Sequence, residues 1–140
     1  MINRHLQTYK NNEVNTVGKV KLVIMMYDGA IRFLNECIKK IEENDIAGRG
    51  LYLGKVQKII GELHESINKR RGGEVAGSLE NAYNLITTKL THANINGDIE
   101  QIEQSITILE GLRDAWSTIS QDIGSEQGNN NAPSRVALNL

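Results

Sequence analysis

Proline is absent from the first 132 residues of this 140-residue chain, and Pro133 is the only one it contains. Proline cannot donate a backbone hydrogen bond and interrupts helices, so its absence favours long helices over loop-rich architectures. Aromatic residues make up only 4% of the chain, which is few for a β protein because strands favour them. The length suits one domain whose core needs neither disulfides nor metal. We therefore expect an all-α domain.

The stretch from Val20 to Ile41 is the longest apolar-rich run, and the predicted fold is built around it. Its apolar residues form two neighbouring stripes with the three- or four-residue spacing of a helix. The first stripe is Leu22, Met26, Phe33, Cys37 and Ile41, and the second is Val23, Tyr27, Ile31, Leu34 and Ile38. Such a wide apolar face must be contacted from two directions, either by several helices of the same fold or by these and a partner. Both explanations are open at this point.

Three further segments show an amphipathic helical pattern. Their apolar positions are Leu53, Val56, Ile60, Leu63 and Ile67 in the second helix, Leu79, Ala82, Tyr83, Ile86, Leu90 and Ala93 in the third, and Ile99, Ile102, Ile106, Leu109, Leu112, Trp116 and Ile119 in the fourth. Four amphipathic helices with short connections predict an antiparallel up-down four-helix bundle.

Turn and capping residues mark the predicted helix ends. They are Gly18 before the first helix, Asn44 and Asp45 before the second, Gly72 and Gly73 after the second, and Asp98 before the fourth. The basic triplet 69–71 is expected at the C-terminal end of the second helix, where the helix dipole favours cations. The bundle is thus predicted over residues 20–124, between an N-terminal arm (1–19) and a flexible tail (125–140).

The tail changes character along its length. Its first half is rich in glycine and asparagine and has the composition of a disordered linker. Its end is apolar again, with Val136, Ala137, Leu138 and Leu140. We expect either a free tail or a segment that lies in a groove of the bundle.

Charge and length exclude several classes of protein. The net charge is -1, so neither nucleic acid nor an anionic membrane is an expected partner. No apolar run of about 18 residues occurs, which argues against membrane insertion. A signal-peptide pattern is absent, and we expect a cytoplasmic protein. The single cysteine, Cys37, lies on the apolar stripe and is expected to be buried.

The ionisable residues do not form a recognisable catalytic or metal-binding pattern. His5, His64 and His92 have no metal-ligand spacing to one another, and no Glu-x-x-His pair is present. A nucleophile arrangement of serine, histidine and acid is also missing. We therefore expect no cofactor, no metal and no enzymatic activity. The alternative considered is a histidine phosphotransfer or other signalling bundle that would use His64 or His92.

Apolar residues that fall off the predicted core stripes point to binding. They are Met25, Leu51, Tyr52, Leu85 and Ile108. Apolar side chains that cluster on a surface mark a groove, and a helical bundle can hold amphipathic segments there.

Several ordered pieces resemble the family of flagellar secretion chaperones, FliS, across roughly residues 6 to 120. The pieces are Leu6 with Tyr9, then Leu22 with Met25-Met26-Tyr27-Asp28-Gly29-Ala30-Ile31, Lys58-Ile59-Ile60 with Glu62-Leu63, Gly72-Gly73-Glu74-Val75-Ala76 with Leu79, Leu90 with Ala93-Asn94 and Asp98, and Ala115-Trp116. The chain departs from the family pattern at Gly18-Lys19, Ala82-Tyr83 and Leu85-Ile86, and its tail is not part of that pattern.

The resemblance implies a cytoplasmic, non-enzymatic type III export chaperone. Its partners would be the disordered C-terminal segment of flagellin, the flagellar export gate and a co-chaperone or regulator. It would keep flagellin from polymerising early and aid its delivery to the export apparatus. The expected client-binding groove is Tyr27, Ile31, Leu34, Leu85 and Ile86. The expected groove-covering arm is Leu6 and Tyr9, which flagellin would displace.

Overall fold

Four helices make up the fold. The computed structural model describes the backbone of residues 2–67 and 69–125 and the side chains of residues 17–67 and 72–121. The helices are α1 (Ile2–Glu42), α2 (Ile46–Glu65), α3 (Lys69–Asn96) and α4 (Ile99–Ser125). Helix α1 packs against α2 and α4, and α3 packs against the same two helices. The predicted all-α four-helix bundle is confirmed, with α1 and α3 at opposite corners.

The core is formed by the apolar stripes of all four helices. Its side chains are at most 8% exposed, and they are Val20, Val23, Tyr27, Ala30, Leu34, Cys37, Leu53, Val56, Ile60, Leu63, Ile67, Ala76, Leu79, Tyr83, Ile86, Leu90, Ala93, Ile102, Leu109 and Trp116. On α1 the core takes Val23, Tyr27 and Leu34 from the second predicted stripe and Cys37 from the first, together with Val20 and Ala30. Ile31 and Ile38 of the second stripe are partly buried against it. The first stripe is split, because Phe33 is partly buried whereas Leu22 is 55% exposed.

The turn between α1 and α2 follows from two adjacent residues. Asn44 has a φ of 58°, a left-handed conformation that asparagine tolerates better than most residues. This bend lets the Asp45 amide donate to the Lys40 carbonyl at 2.8 Å. Asp45 then caps α2, because its Oδ1 accepts from the Gly48 amide at 2.8 Å. The predicted cap at Asp45 is confirmed.

The turn between α3 and α4 lies at the same end of the bundle. Gly97 has a φ of 66° and its amide donates to the Ala93 carbonyl at 2.8 Å. Asp98 caps α4 by accepting from the Glu100 amide at 3.1 Å, as predicted. Arg49 joins the two turns, since its Nη2 donates to the Asn94 carbonyl at 2.8 Å.

Two predicted helix ends are wrong. Helix α1 begins at Ile2 and runs through Gly18, so Gly18 is not its N-cap. Helix α2 ends at Glu65 with Ser66 as its C-cap, rather than at Gly72 and Gly73. The basic triplet is therefore assigned to the start of α3, and its side chains lie outside the described residues. Gly73 interrupts α3 with a φ of 53° and a ψ of -127°.

Candidate binding surface

The residues predicted to line a groove lie in three different environments. Tyr27, Leu34 and Ile86 are 0% exposed and belong to the core. Ile31 is partly buried and packs against that core. Leu85 is 49% exposed on α3. In this structure only Leu85 and, in part, Ile31 are available to a second molecule, so contact with the other three would require the helices to separate.

Tyr27 instead belongs to a buried polar centre that joins three helices. Its hydroxyl lies 2.6 Å from the Tyr83 hydroxyl of α3. The Trp116 indole of α4 donates its Nε1–H to the Tyr27 oxygen at 3.0 Å. The three side chains are at most 3% exposed. Since buried polar groups are costly unless they are paired, this arrangement fixes how α1, α3 and α4 pack.

Both tyrosines are held in the neutral form. Burial raises the pKa of Tyr27 to about 12, although hydrogen bonds from Tyr83 and Trp116 oppose the shift. Burial also raises the pKa of Tyr83, and the neighbouring Tyr27 raises it further. The centre therefore carries no charge near neutral pH, and its role is structural.

The outer surface along α1 and α2 carries aromatic and exposed aliphatic side chains, and we call it the α1–α2 face. Phe33 and Tyr52 meet across the two helices with ring centroids 6.0 Å apart. One helical turn away, a Cβ added at Gly29 would lie 3.9 Å from the Ile59 side chain, so α1 and α2 approach closely there. Beyond Gly29 the face continues into Leu22 and Met25, which are 55% and 66% exposed.

Cations border the aromatic part of this face. The Lys55 Nζ lies 5.2 Å from the ring centroid of Phe33 and 5.5 Å from that of Tyr52. The Arg32 guanidinium lies 5.6 Å from the Phe33 centroid. The α1–α2 face thus combines exposed apolar area with positive charge at its edge, which suits an amphipathic segment that carries acidic side chains.

A second apolar region lies on the other side of the bundle, and we call it the α3–α4 face. The Lys89 Nζ donates to the Gln104 Oε1 at 2.6 Å. Helices α3 and α4 run antiparallel, so residues four before Lys89 and four after Gln104 are also level with each other. These residues are Leu85 on α3 and Ile108 on α4. Leu85 is half-exposed and Ile108 is partly buried against the core.

The turn end of the bundle carries a cavity of about 260 Å³. It is lined by residues of both turns, among them Lys40, Asp45, Arg49 and Gly97. Lys40 is already paired there, since its Nζ lies 3.4 Å from Glu43 and 3.9 Å from Asp45. Ile46 and Ile95, each 70% exposed, flank this end. These two were missed by the sequence analysis, because each lies at a helix end where periodicity gives little signal.

The histidines do not assemble a site in the described structure. His64 Nε2 lies 3.7 Å from Glu80 Oε1 between α2 and α3, and its ring packs near Tyr83 with centroids 6.1 Å apart. His92 is exposed on α3. Among the described residues no three ionisable metal ligands cluster, and none of the described helices is long and apolar enough to cross a membrane.

Two further sequence predictions concern single residues. Cys37 is fully buried, as expected, and burial raises the pKa of its thiol to about 11. The side chains of Leu6 and Tyr9, predicted to cover a groove, lie outside the described side chains, and only their helical backbone is described. Their role as a cover stays a prediction.

Comparison with known proteins gives a consistent set of matches. A family model described as flagellar protein FliS matches residues 1–123. The flagellar secretion chaperone FliS of Bacillus subtilis is 30% identical over 129 residues, which cover 92% of this chain and 93% of that protein. The flagellar secretion chaperone FliSB of Pseudomonas aeruginosa is 28% identical, with coverages of 77% and 86%. FliS of Salmonella typhimurium is also 28% identical, with coverages of 85% and 89%.

Proposed function

Because the chain belongs to the family of the flagellar protein FliS, we propose that it binds the disordered C-terminal segment of flagellin before the filament is assembled. The family is one of flagellar secretion chaperones and not of enzymes. By holding that segment the protein keeps flagellin from polymerising in the cytoplasm and aids its delivery to the export apparatus. Competition at the export gate, where a co-chaperone or regulator can also act, then releases the client.

The observation that carries this proposal is the amount of apolar side chain left on the outside of the bundle. Leu22, Met25 and Leu85 are 55%, 66% and 49% exposed. Single exposed apolar residues are ordinary, but Leu22 and Met25 continue an α1–α2 face that already contains Phe33 and Tyr52. A self-sufficient bundle gains nothing from that arrangement, whereas a chaperone needs it to hold a chain.

The energetics suit a grip that can be released. Burying apolar surface contributes roughly 25 cal/mol per Å², so a long segment laid along the bundle gains considerable free energy. A disordered segment must be ordered at the same time, which costs about 2–5 kcal/mol or more. Binding is therefore firm enough to prevent self-association and weak enough to be reversed at the gate.

Two faces receive the client in this proposal. Leu85 and Ile31 are the predicted groove residues that the client can reach from outside. Leu22 and Met25 extend the binding area on the α1–α2 face. Tyr27, Leu34 and Ile86 support these faces from the core, and direct contact with them follows only if the client separates the helices. Leu6 and Tyr9 cover part of the surface before flagellin arrives, which requires α1 to open near Gly18 because the helix is continuous there.

The experiment that tests the proposal is a titration of the purified protein with the C-terminal segment of flagellin from the same organism. Leu85→Ser and the double variant Leu22→Ser/Met25→Ser remove exposed apolar contacts and leave the core intact. An important interface contact costs about 1–2 kcal/mol when truncated, so we expect affinity to fall by about 5–30-fold for each variant.

The matched control is Ile95→Ser, which removes a 70% exposed apolar side chain at the turn end of α3. It lies outside both faces, and its affinity should equal that of the parent. If all three variants bind flagellin as the parent does, the two faces are not the client site. If the parent itself binds no flagellin segment, the proposed client is wrong.

A further inference from the structure

Leu22 and Met25 lie on a stripe of α1 that the other helices of the bundle leave more than half exposed. Together with Gly18 these residues are spaced four and three apart, so they share one side of α1. We call Gly18, Leu22 and Met25 the Leu22 stripe. It lines a shallow, mostly apolar cavity of about 520 Å³, with Lys19 and Lys21 at its edge. Two large side chains that are more than half exposed side by side are costly to leave in water.

The Leu22 stripe lies close to the level at which the chain leaves α4, which limits the segments of this chain that can cover it. Trp116 bonds Tyr27 at 3.0 Å and Arg113 bonds Asp28 at 3.3 Å, so these parts of α4 and α1 are level. Ser125 lies nine residues beyond Trp116, which is about 14 Å along the helix axis. Gly18 lies nine residues before Tyr27 and, because the helices are antiparallel, about 14 Å in the same direction. The chain therefore leaves α4 level with one end of the Leu22 stripe.

The sequence that follows α4 has the length and composition to reach the stripe. Residues 126–135 read EQGNNNAPSR, a polar segment rich in asparagine. Ten residues of flexible linker have a root-mean-square span of about 17 Å. That span exceeds the diameter of a helix, which is about 10–12 Å. Linkers of this length give a tethered segment an effective concentration in the millimolar range, so even a weak contact is occupied.

The apolar residues at the far end of this segment match the stripe. Val136, Leu138 and Leu140 alternate with Ala137 and Asn139, so in an extended conformation all three point to one side. They span about 13 Å, since a strand rises about 3.3 Å per residue. The Leu22 stripe from Gly18 to Met25 spans about 10–11 Å.

The N-terminal segment, proposed above to cover part of the surface, can reach this stripe only if α1 opens near Gly18. Helix α1 is continuous from Ile2, so residues 2–17 run along the axis and away from the stripe while the helix stays intact. A segment cannot cover a stripe on its own helix without breaking that helix. The tail carries no such constraint.

From these observations we propose that Val136, Leu138 and Leu140 dock on the Leu22 stripe of the same chain. The tail thus acts as a tethered strap that covers exposed apolar area when no client is present. A further consequence rests on the proposed function: the strap competes with flagellin for this part of the α1–α2 face. The client must displace the strap, so its apparent affinity falls in proportion to the fraction of molecules whose stripe is uncovered.

The test is methyl NMR of the full chain labelled at its methionine methyl groups. The chain has three methionines, and Met25 reports on the stripe whereas Met1 and Met26 serve as internal references. In the variant Leu138→Ser/Leu140→Ser we expect the Met25 signal to move towards the position of a solvent-exposed methionine, with Met26 unchanged. Asn129→Ser/Asn130→Ser is the matched control, and it should leave all three signals in place. Both double variants follow the last residue of α4, Ser125, so they leave the sequence of the four helices unchanged.

Two outcomes would overturn the strap. A Met25 signal identical in the full chain and in Leu138→Ser/Leu140→Ser means that the tail does not touch the stripe. A difference that vanishes on dilution means that the stripe is covered by a second copy. Neither result involves flagellin, so the strap and the proposed client can fail independently. If the NMR test confirms the strap, Leu138→Ser/Leu140→Ser should bind the flagellin segment more tightly than the parent. Equal affinities would show that the strap and flagellin do not compete for the Leu22 stripe.

Discussion

At the scale of single residues, the Tyr27 hydroxyl is the contact on which the packing of three helices depends. It faces the Tyr83 hydroxyl at 2.6 Å and accepts from Trp116 at 3.0 Å. Its family resemblance made Tyr27 a candidate for client binding, yet the side chain is 0% exposed. Periodicity places a residue on the apolar side of a helix but does not say whether a neighbouring helix or a partner covers it. That is why Tyr27, Leu34 and Ile86 could not be separated from Leu85 by sequence alone.

Replacing Tyr27 with phenylalanine should destabilise the protein without changing its shape. The substitution keeps the ring but leaves the Trp116 N–H and the Tyr83 hydroxyl buried without their partner. Such unpaired buried groups cost about 1–3 kcal/mol, which urea denaturation followed by circular dichroism would measure. Tyr52→Phe is the matched control, because Tyr52 is only partly buried at the α1–α2 face, and its effect should stay within about 0.5 kcal/mol. Equal stabilities for the two variants would show that the buried centre contributes nothing.

The same centre predicts how stability depends on alkaline pH. An unfolded tyrosine has a pKa of about 10, whereas burial raises the pKa of Tyr27 to about 12 and that of Tyr83 further. The folded state keeps protons that the unfolded state releases, so this contribution is complete below about pH 10 and is lost as the pH rises towards 12. Denaturation at about pH 8 and about pH 11 should show the fall, and Tyr27→Phe/Tyr83→Phe should make it shallower. If tyrosinate absorbance from all four tyrosines develops while the helical signal stays native, the buried pair is not protected.

At the scale of the helices, the sequence predicted the helix starts that a capping side chain marks and missed those without such a side chain. Asp45 and Asp98 cap α2 and α4 as expected, because a carboxylate that satisfies a free backbone amide is a local signal. The start of α1 was missed because residues 2–17 have a polar pattern with no apolar stripe of their own. Extending an existing helix adds one hydrogen bond per residue and avoids the cost of a new nucleus, so α1 continues without that stripe. The sequence predicts that Gly73 ends α2, whereas its positive φ kinks the start of α3.

The turn between α3 and α4 gives the sharpest test of the helix connections. Gly97 has a φ of 66°, and a Cβ there would lie 2.8 Å from the Arg49 Nη1. Gly97→Ala should therefore destabilise the protein by about 1 kcal/mol or more, through backbone strain and displacement of Arg49 from the Asn94 carbonyl. Gly111→Ala is the matched control within α4, where a Cβ meets nothing within 4 Å, and it should stabilise by up to about 1 kcal/mol. Thermal unfolding would rank the two, and the opposite order would contradict this account of the turn.

At the scale of the whole molecule, the bundle divides its apolar residues between a closed core and two open faces. Core membership followed well from the sequence for α2 and α3, where most stripe residues are buried, and on α4 Ile102, Leu109 and Trp116 are buried. The open faces followed in part, since Met25 and Leu85 fall off the predicted stripes and are 66% and 49% exposed, whereas Leu22 lies on a predicted stripe and is 55% exposed. Two neighbouring stripes were predicted on α1, and periodicity does not say which of them the other helices cover.

The measurement that tests the central claim most directly is titration calorimetry of the protein with the C-terminal segment of flagellin, repeated over a range of temperatures. We predict a one-to-one complex with a large negative heat-capacity change, because apolar area on the two faces is buried while the client becomes ordered. A complex with a heat-capacity change near zero, or no binding even after the segments 1–19 and 126–140 are removed, would contradict the claim that the open faces of this bundle hold flagellin.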